Sequence, residues 1–539
     1  MKKTHHHLLT GLIVVCCGVL GWWVARDFEG ITAGLPTSTK IEMPLVTKRN
    51  PRSAAPPARD EFRDGTTVEI FASIDQGEVI LRFPSAETYG AFLTALGGSK
   101  VRLIDQLDRL RAIRIGYQDR ADLMRLLDNE NLIAYNSLPT FPAPNPTASG
   151  DQTGLVEFGE GLLPWLGITG DNSKWGAGVT IAILDTGIIE HSALPGFFQS
   201  FAITPFPADI TQTNGHGTAV ASLIAGNDPL VPGVAPAARL ISVRVGDDLG
   251  RADAFALAAG ILTAVDAGAQ IINISMGTRE NNPLIEEAVL YAHDHDVLIV
   301  AASGNSEQAE ACYPAAYPSV ISVGAVDARG EHLDFSNFGT YLSLTAPGYG
   351  IDAAWPGNRY SKFSGTSASA PIVTGAIAAT MSNGRGVKMT ASQAAEIVMQ
   401  YSNEAGIPGP DSEYGVGILN VGRVMNRAVS GIIDAAITHQ RVVKSGRSGS
   451  SHEIQVTIQN RGTSPLTIAH LEIKTPYGSR QFSVSPLDPG AVQTFSFPIR
   501  LTALTARLPL LVSSSITLEG AGKDVFPQNN RRSEALRVR

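Results

Sequence analysis

Val179-Thr180-Ile181-Ala182-Ile183-Leu184-Asp185-Thr186-Gly187 is a near-continuous apolar run that stops on an acid and a glycine turn. Such runs are expected of parallel strands covered on both faces. The pattern recurs at Leu240–Val245, Ile271–Ser275 and Val297–Ala302, while Ala252–Ala267 and Pro283–His295 between them have helical spacing. Strands alternating with helices define an α/β class, a doubly wound and mostly parallel sheet. Ligands of such sheets sit at the carboxyl ends of strands, and Asp185, Ser275 and Asn305 fall at or just beyond such ends.

Two further stretches carry chemistry. Gly365-Thr366-Ser367-Ala368-Ser369-Ala370-Pro371 leads into a run of small apolar residues, which reads as a buried helix with proline in its first turn. A serine there lies beside unpaired backbone N–H groups at the positive end of the helix dipole, where an oxyanion is stabilised. Upstream lies Asn214-Gly215-His216-Gly217-Thr218-Ala219-Val220-Ala221. Taken singly, Ser367 is an N-cap, Asp185 a turn aspartate and His216 a helix-capping histidine. Taken jointly, the Asp-Thr-Gly, His-Gly-Thr and Gly-Thr-Ser-x-x-x-Pro blocks, in the order Asp–His–Ser, resemble the subtilisin-like serine peptidases over roughly residues 155–428.

That resemblance implies roles. Ser367 is a poor nucleophile while protonated, so His216 takes its proton and later hands it to the leaving amine. Asp185 fixes the imidazole tautomer and stabilises the imidazolium. Asn305, in Ala301-Ala302-Ser303-Gly304-Asn305, holds the developing oxyanion together with the Ser367 backbone N–H. Ser275, Met276 and Gly277 pair with an extended peptide and line one wall of the primary specificity pocket; Ala302, Ser303 and Gly304 form the other wall. Cys312 directly precedes Tyr313-Pro314, the family position at the pocket base, where it forms a small floor suited to a medium or large apolar side chain. The alternative for Cys312 is an inert buried thiol. Tyr414-Gly415-Val416-Gly417-Ile418-Leu419-Asn420-Val421 is similar to the family's closing segment, so the catalytic domain spans 157–428.

Composition sets the frame. Of 539 residues, 44% are apolar and 17% charged, enough for several globular units. A net charge of −8 gives no reason to expect a nucleic-acid partner. Cys16 and Cys17 lie in an N-terminal apolar run, which leaves Cys312 alone in the body of the chain and makes an internal disulfide unexpected. Asp247-Asp248 reads as a solvated loop or a calcium-binding one, without EF-hand spacing. His293 and His295 read as a solvated helix end. No catalytic metal and no cofactor are expected.

The flanks differ from the centre. Lys2 and Lys3 precede an apolar run from Leu8 to Ala25 that closes on Trp22-Trp23, so residues 1–27 read as an uncleaved signal-anchor with the remainder outside the cytoplasm. A removed signal peptide, and hence secretion, is the alternative. Residues 28–65 form a Pro- and Arg-containing flexible linker. Residues 66–142 alternate strands and helices as a small α+β unit, whose position before the catalytic domain resembles the family's propeptide, an intramolecular chaperone and inhibitor. The linker 143–156 follows, and self-cleavage is expected between residues 136 and 156. Residues 432–539 show short alternating runs with turn signals, as in a β-sandwich, and loosely resemble adhesion-type immunoglobulin-like modules that bind another protein or cap the peptidase. The expectation is a membrane-anchored zymogen of a serine endopeptidase acting on polypeptides. A catalytically silent binding or scaffold homologue, and a processing peptidase dedicated to one envelope partner, are the alternatives.

Overall fold

The computed structural model describes residues 68–72, 77–127, 132–135, 141–142, 155–194, 198–203, 214–383, 388–444, 451–500, 509–519 and 522–537. The chain divides into two compact units, Met1–Arg63 and Asp64–Arg539, and the first lies wholly outside the described residues, with the signal-anchor and most of the linker assigned to it. No helix among the described residues is long and apolar enough to cross a membrane.

The second unit begins with β1 (Val68–Ala72), β2 (Glu78–Arg82), α1 (Ala86–Leu96), β3 (Arg102–Leu107), β4 (Ala112–Gly116), α2 (Arg120–Leu126) and β5 (Leu132–Tyr135). They form a sheet ordered β3-β4-β2-β1-β5 in which β1 and β5 alone run parallel. Ser85 starts α1 with a capping box, and Tyr89, Phe92 and Leu96 bury one face of that helix, as their spacing requires. Val101–Ile115 folds as two strands because a 3-10 turn at Asp108–Leu110, closed by Arg111 in the left-handed region (φ 49°), reverses the chain.

The central part follows: β6 (Phe141–Pro142), α3 (Leu162–Trp165), β7 (Thr180–Asp185), β8 (Phe198–Ala202), α4 (His216–Ala225), β9 (Arg239–Arg244), α5 (Ala254–Asp266), β10 (Ile271–Ile274), β11 (Met276–Gly277), α6 (Pro283–Asp294), β12 (Leu298–Ala302), β13 (Val320–Val326), β14 (Leu344–Pro347), β15 (Ile351–Trp355), β16 (Arg359–Phe363), α7 (Thr366–Ser382), α8 (Ala391–Gln400) and α9 (Val421–Asn426). Seven strands form one sheet, ordered β14-β13-β12-β10-β7-β9-β8 and parallel throughout. The apolar run of β7 divides by alternation: Ile181 and Ile183 enter the core beneath α4 and α7, while Ala182 and Leu184 enter the core beneath α5 and α6. From β7 the chain goes to the edge strand β8, returns to β9 beside β7, and then passes to β10 on the other side of β7. The switch point therefore lies between the carboxyl ends of β7 and β10, where such sheets place their ligands.

One sequence expectation is corrected here. Pro371 is not in the first turn of α7, because the helix begins at Thr366. Ser367 is therefore the second helical residue and not a cap. Gly365 precedes the helix at φ 116°, and a Cβ there would lie 2.6 Å from Asn305 Nδ2.

The last strands are β17 (Ala435–Lys444), β18 (Ser451–Asn460), β19 (Ala469–Thr475), β20 (Gly478–Val484), β21 (Val492–Arg500), β22 (Leu510–Leu518) and β23 (Arg531–Leu536). Two antiparallel sheets, β17-β18-β21 and β20-β19-β22-β23, share a core that includes Val456, Leu471 and Val512. This is the expected sandwich.

The N-terminal α+β module docks on α5 and α6. Ile80, Leu110 and Ala112 join the core beneath those helices. Around them Arg82 (2.7 Å) and Arg111 (3.3 Å) reach Glu287, and Arg109 reaches Asp266 at 2.6 Å. At the centre Arg114 pairs with Asp253 while both are fully buried, and the Arg114 guanidinium lies 5.2 Å over the Phe255 ring. Asp253 also caps α5 by accepting from the Ala256 N–H.

Candidate active site

Asp185 ends β7 and His216 begins α4, so the switch point brings them together. Both Asp185 carboxylate oxygens lie 2.9 Å from His216 Nδ1. The carboxylate is fully buried and also accepts from the Thr186 N–H at 2.7 Å, which fixes its plane. This approach needs Gly217: a Cβ there would sit 2.3 Å from the Gly187 carbonyl. The His216 ring meets Phe363 edge-on at 5.2 Å. With Nδ1 committed to the carboxylate, Nε2 is buried with no hydrogen-bond partner among the described residues. A buried, unpartnered imidazole nitrogen is costly unless a substrate or nucleophile supplies its partner.

Ser367 sits in the first turn of α7, where backbone N–H groups have no intrahelical acceptor. Its hydroxyl donates to the Ser275 carbonyl at 3.1 Å and not to His216. Asn305 is held by its oxygen, which accepts from Thr366 N (3.0 Å) and Thr366 Oγ1 (2.8 Å). Its Nδ2 is left buried without a partner among the described residues. The site thus presents one unfilled base nitrogen and one unfilled amide donor near a hydroxyl. That set can accept a proton and hold a negative oxygen.

The predicted walls come together as well. Met276 and Gly277 form β11, and Gly304 follows β12 at φ 104°. Cys312 lies between them: a Cβ at Gly277 would be 2.5 Å from its Sγ, and one at Gly304 would be 3.4 Å from its Cβ. Tyr313 and Thr278 exchange backbone hydrogen bonds of 2.9 and 2.7 Å, which hold Cys312 in place. Burial pushes the Cys312 thiol up to about 12. Ser303 and Ala302 are buried. Strand β6 lies antiparallel on β11, with Phe141 opposite Gly277 and Pro142 opposite Met276.

Thr374 and Asn273 escaped the sequence reading. Thr374 on α7 donates to Asn273 Oδ1 (3.0 Å), Asn273 Nδ2 to Ser275 Oγ (3.0 Å), and Ser275 Oγ to the Ser367 carbonyl (3.3 Å). All four residues are buried. The signal was Asn273 itself, a polar residue inside the apolar Ile271–Ile274 strand. Asp247 and Asp248 are paired with Arg251 and Arg244, so their carboxylates are occupied without an ion. Among the described residues no group of His, Cys, Asp and Glu has the grouping of a metal site. His293 and His295 lie exposed at the end of α6.

Residues 176–417 match the Subtilase family profile, Peptidase_S8. The thermostable alkaline protease of Halalkalibacterium halodurans is 36% identical over 270 residues, 48% of this chain and 73% of that protein. The thermophilic serine proteinase of a Bacillus species is 32% identical over 329 residues, covering 58% and 79% respectively. Subtilisin BL of Lederbergia lenta is 36% identical over 247 residues, covering 46% and 90%. The chain belongs to the subtilase family. It is a serine endopeptidase.

Proposed function

We propose that this endopeptidase works through Ser367, His216 and Asp185, and that it is made as a membrane-anchored zymogen. The observation that carries the catalytic reading is the buried His216 Nε2, unpartnered while Asp185 holds Nδ1. Rotation of the Ser367 side chain takes Oγ from the Ser275 carbonyl to that nitrogen. Oγ then bonds to the scissile carbonyl carbon as Nε2 takes its proton. The carbonyl oxygen, now negative, is held by Asn305 Nδ2 and the Ser367 N–H. The C–N bond breaks as the imidazolium returns the proton to the amine, and water repeats the sequence to release the acid. The substrate is a polypeptide, gripped along Ser275-Met276-Gly277 with an apolar side chain over Cys312. The reaction as proposed uses these side chains and the Ser367 backbone N–H.

The zymogen reading rests on β6. An extended segment already paired with β11 occupies the edge a substrate would use. The module just before it in the chain is fastened to α5 and α6 through Arg82, Arg109, Arg111 and Arg114. In this reading residues 1–27 anchor the chain with its catalytic domain outside the cytoplasm. The sandwich buttresses the peptidase and offers a surface to a further protein. Intact mass and N-terminal sequencing of the purified chain, beside Ser367→Ala, test the proposal. A cut between residues 136 and 156 in wild type alone is expected. If both chains stay whole, self-maturation is wrong.

A further inference from the structure

Arg423 and Arg461 meet at one cavity; Asp434 acts on both through space and Glu404 on Arg461, but neither guanidinium has a carboxylate in direct contact among the described residues. The cavity, about 610 Å³, lies between the segment closing the peptidase domain and the start of the sandwich. That volume is the size of a small-molecule pocket. Trp165, Ile418 and Phe526 give it apolar walls.

Each arginine is held by neutral groups. Arg423 donates from Nε to the Arg461 carbonyl (3.1 Å) and from Nη1 to the carbonyls of Tyr401 (3.1 Å) and Ser402 (2.7 Å) and to Asn403 Oδ1 (3.3 Å). Arg461 donates from Nε to Gln459 Oε1 at 3.2 Å. Among the described residues, nothing accepts from its two terminal nitrogens, and no carboxylate forms an ion pair with either guanidinium. Glu404 and Asp434, the carboxylates on the wall, bond instead to the Gly409 N–H (3.3 Å) and to Asn529 Nδ2 (2.8 Å). The contrast lies close by: Arg329 and Arg532, on the same wall, are paired with Asp327 and Glu331. Burial pushes Arg423 and Arg461 down to about 10, so both stay charged at neutral pH. Two adjacent, partly buried cations without a direct ion pair gain from an anion that joins them. A guanidinium fork is shaped for the paired oxygens of a carboxylate or phosphate.

We propose that this cavity binds a small organic oxyanion with an apolar body, its oxygens taking the free terminal nitrogens of Arg461 and Nη2 of Arg423. Arg423 belongs to α9 of the peptidase and Arg461 to the turn after β18 of the sandwich. A bound anion therefore ties the two together.

The test is calorimetric titration of the full chain carrying Ser367→Ala, at low chloride, with phenyl phosphate, phenylacetate and inorganic phosphate. Saturable one-to-one binding of at least one probe is expected, with a Kd of about 1 mM or tighter. The tightest of the three identifies the headgroup. Arg461→Gln should weaken that binding at least tenfold, with an unchanged circular dichroism spectrum. If Arg461→Gln does not fold, Arg461→Lys replaces it: the charge stays, the fork goes, and a loss of at least threefold is expected. No saturable binding of any probe by the parent chain overturns the proposal, as does undiminished binding by the folded variant.

Discussion

The Ser275 hydroxyl donates to the Ser367 carbonyl, 3.3 Å away, while the Ser367 hydroxyl donates to the Ser275 carbonyl at 3.1 Å. The first bond answers a vacancy in α7. The carbonyl of Ser367 would normally accept from the residue four positions on, and that residue is Pro371, which has no N–H. Ser275 supplies the missing donor from the end of β10. The strand end and the serine that begins α7 are thereby fixed to each other. Ser275→Ala should cost about 1–2 kcal/mol in urea unfolding of the Ser367→Ala chain, because a buried carbonyl loses its partner. Pro371→Ala restores an N–H to the helix, so the same substitution should cost less in that background. Equal costs in the two backgrounds would show that the bond is not coupled to the proline.

Asp185→Asn keeps the size of the residue but presents an amide to His216 Nδ1. The wrong tautomer is then favoured, and turnover of a peptide substrate should fall by about 10⁴. Asn305→Ala removes the unpartnered Nδ2 and should lower turnover by about 10²–10³, the known size of this effect in subtilisin itself. Its KM should move little, because the bond forms as the oxyanion develops. A large rise in KM with unchanged turnover would assign Asn305 to ground-state binding instead.

Cys312 separates packing from reactivity. With the thiol pushed up to about 12, only about one molecule in 10⁴ is a thiolate at pH 8. Iodoacetamide at that pH should therefore slow wild type and Cys312→Ser equally little. Filling the floor is another matter. Cys312→Phe should lower kcat/KM at least tenfold for substrates with phenylalanine before the scissile bond, relative to alanine there. An unchanged ratio would remove Cys312 from the pocket.

Arg114 and Asp253 form the buried centre of the module's contact with α5. Arg114→Ala takes the guanidinium away from the buried Asp253 carboxylate, a loss of about 3–5 kcal/mol. In the Ser367→Ala chain, amide exchange over Ala112–Gly116 should quicken by about 10²–10⁴, while β7 is unaffected. Uniform quickening would instead mean that the whole unit is loosened.

The sheet was legible because β7, β9, β10 and β12 are dominated by apolar residues, broken inside β9 by Ser242 and inside β10 by Asn273 alone. Asp185, His216, Ser367 and Asn305 were legible because each sits beside small or glycine residues in a fixed local pattern. β8 was not, because it is an edge strand with an exposed Gln199-Ser200, and nothing local marks it. Arg114–Asp253 and Arg423–Arg461 were not, because their partners are 139 and 38 positions apart and only the fold brings them together. The start of α7 was misplaced because a proline reads as a first-turn signal, whereas Ser275 makes it tolerable a turn later.

Glu404 gives a prediction in pH. Burial is the main cause that pushes its carboxyl up to about 7. Its unfolded value is near that of an ordinary glutamate, so between pH of about 4.5 and 7 the folded chain holds a proton that the unfolded chain has lost. Stability linked to this group is therefore greatest in acid and falls as pH rises across that window. Glu404→Gln mimics the protonated form at every pH. The difference in melting temperature between Glu404→Gln and the parent, both carrying Ser367→Ala, should be near zero at pH 4.5 and should favour the variant at pH 8. A difference favouring the variant by the same amount at both pH values would trace the effect to packing and not to the buried charge.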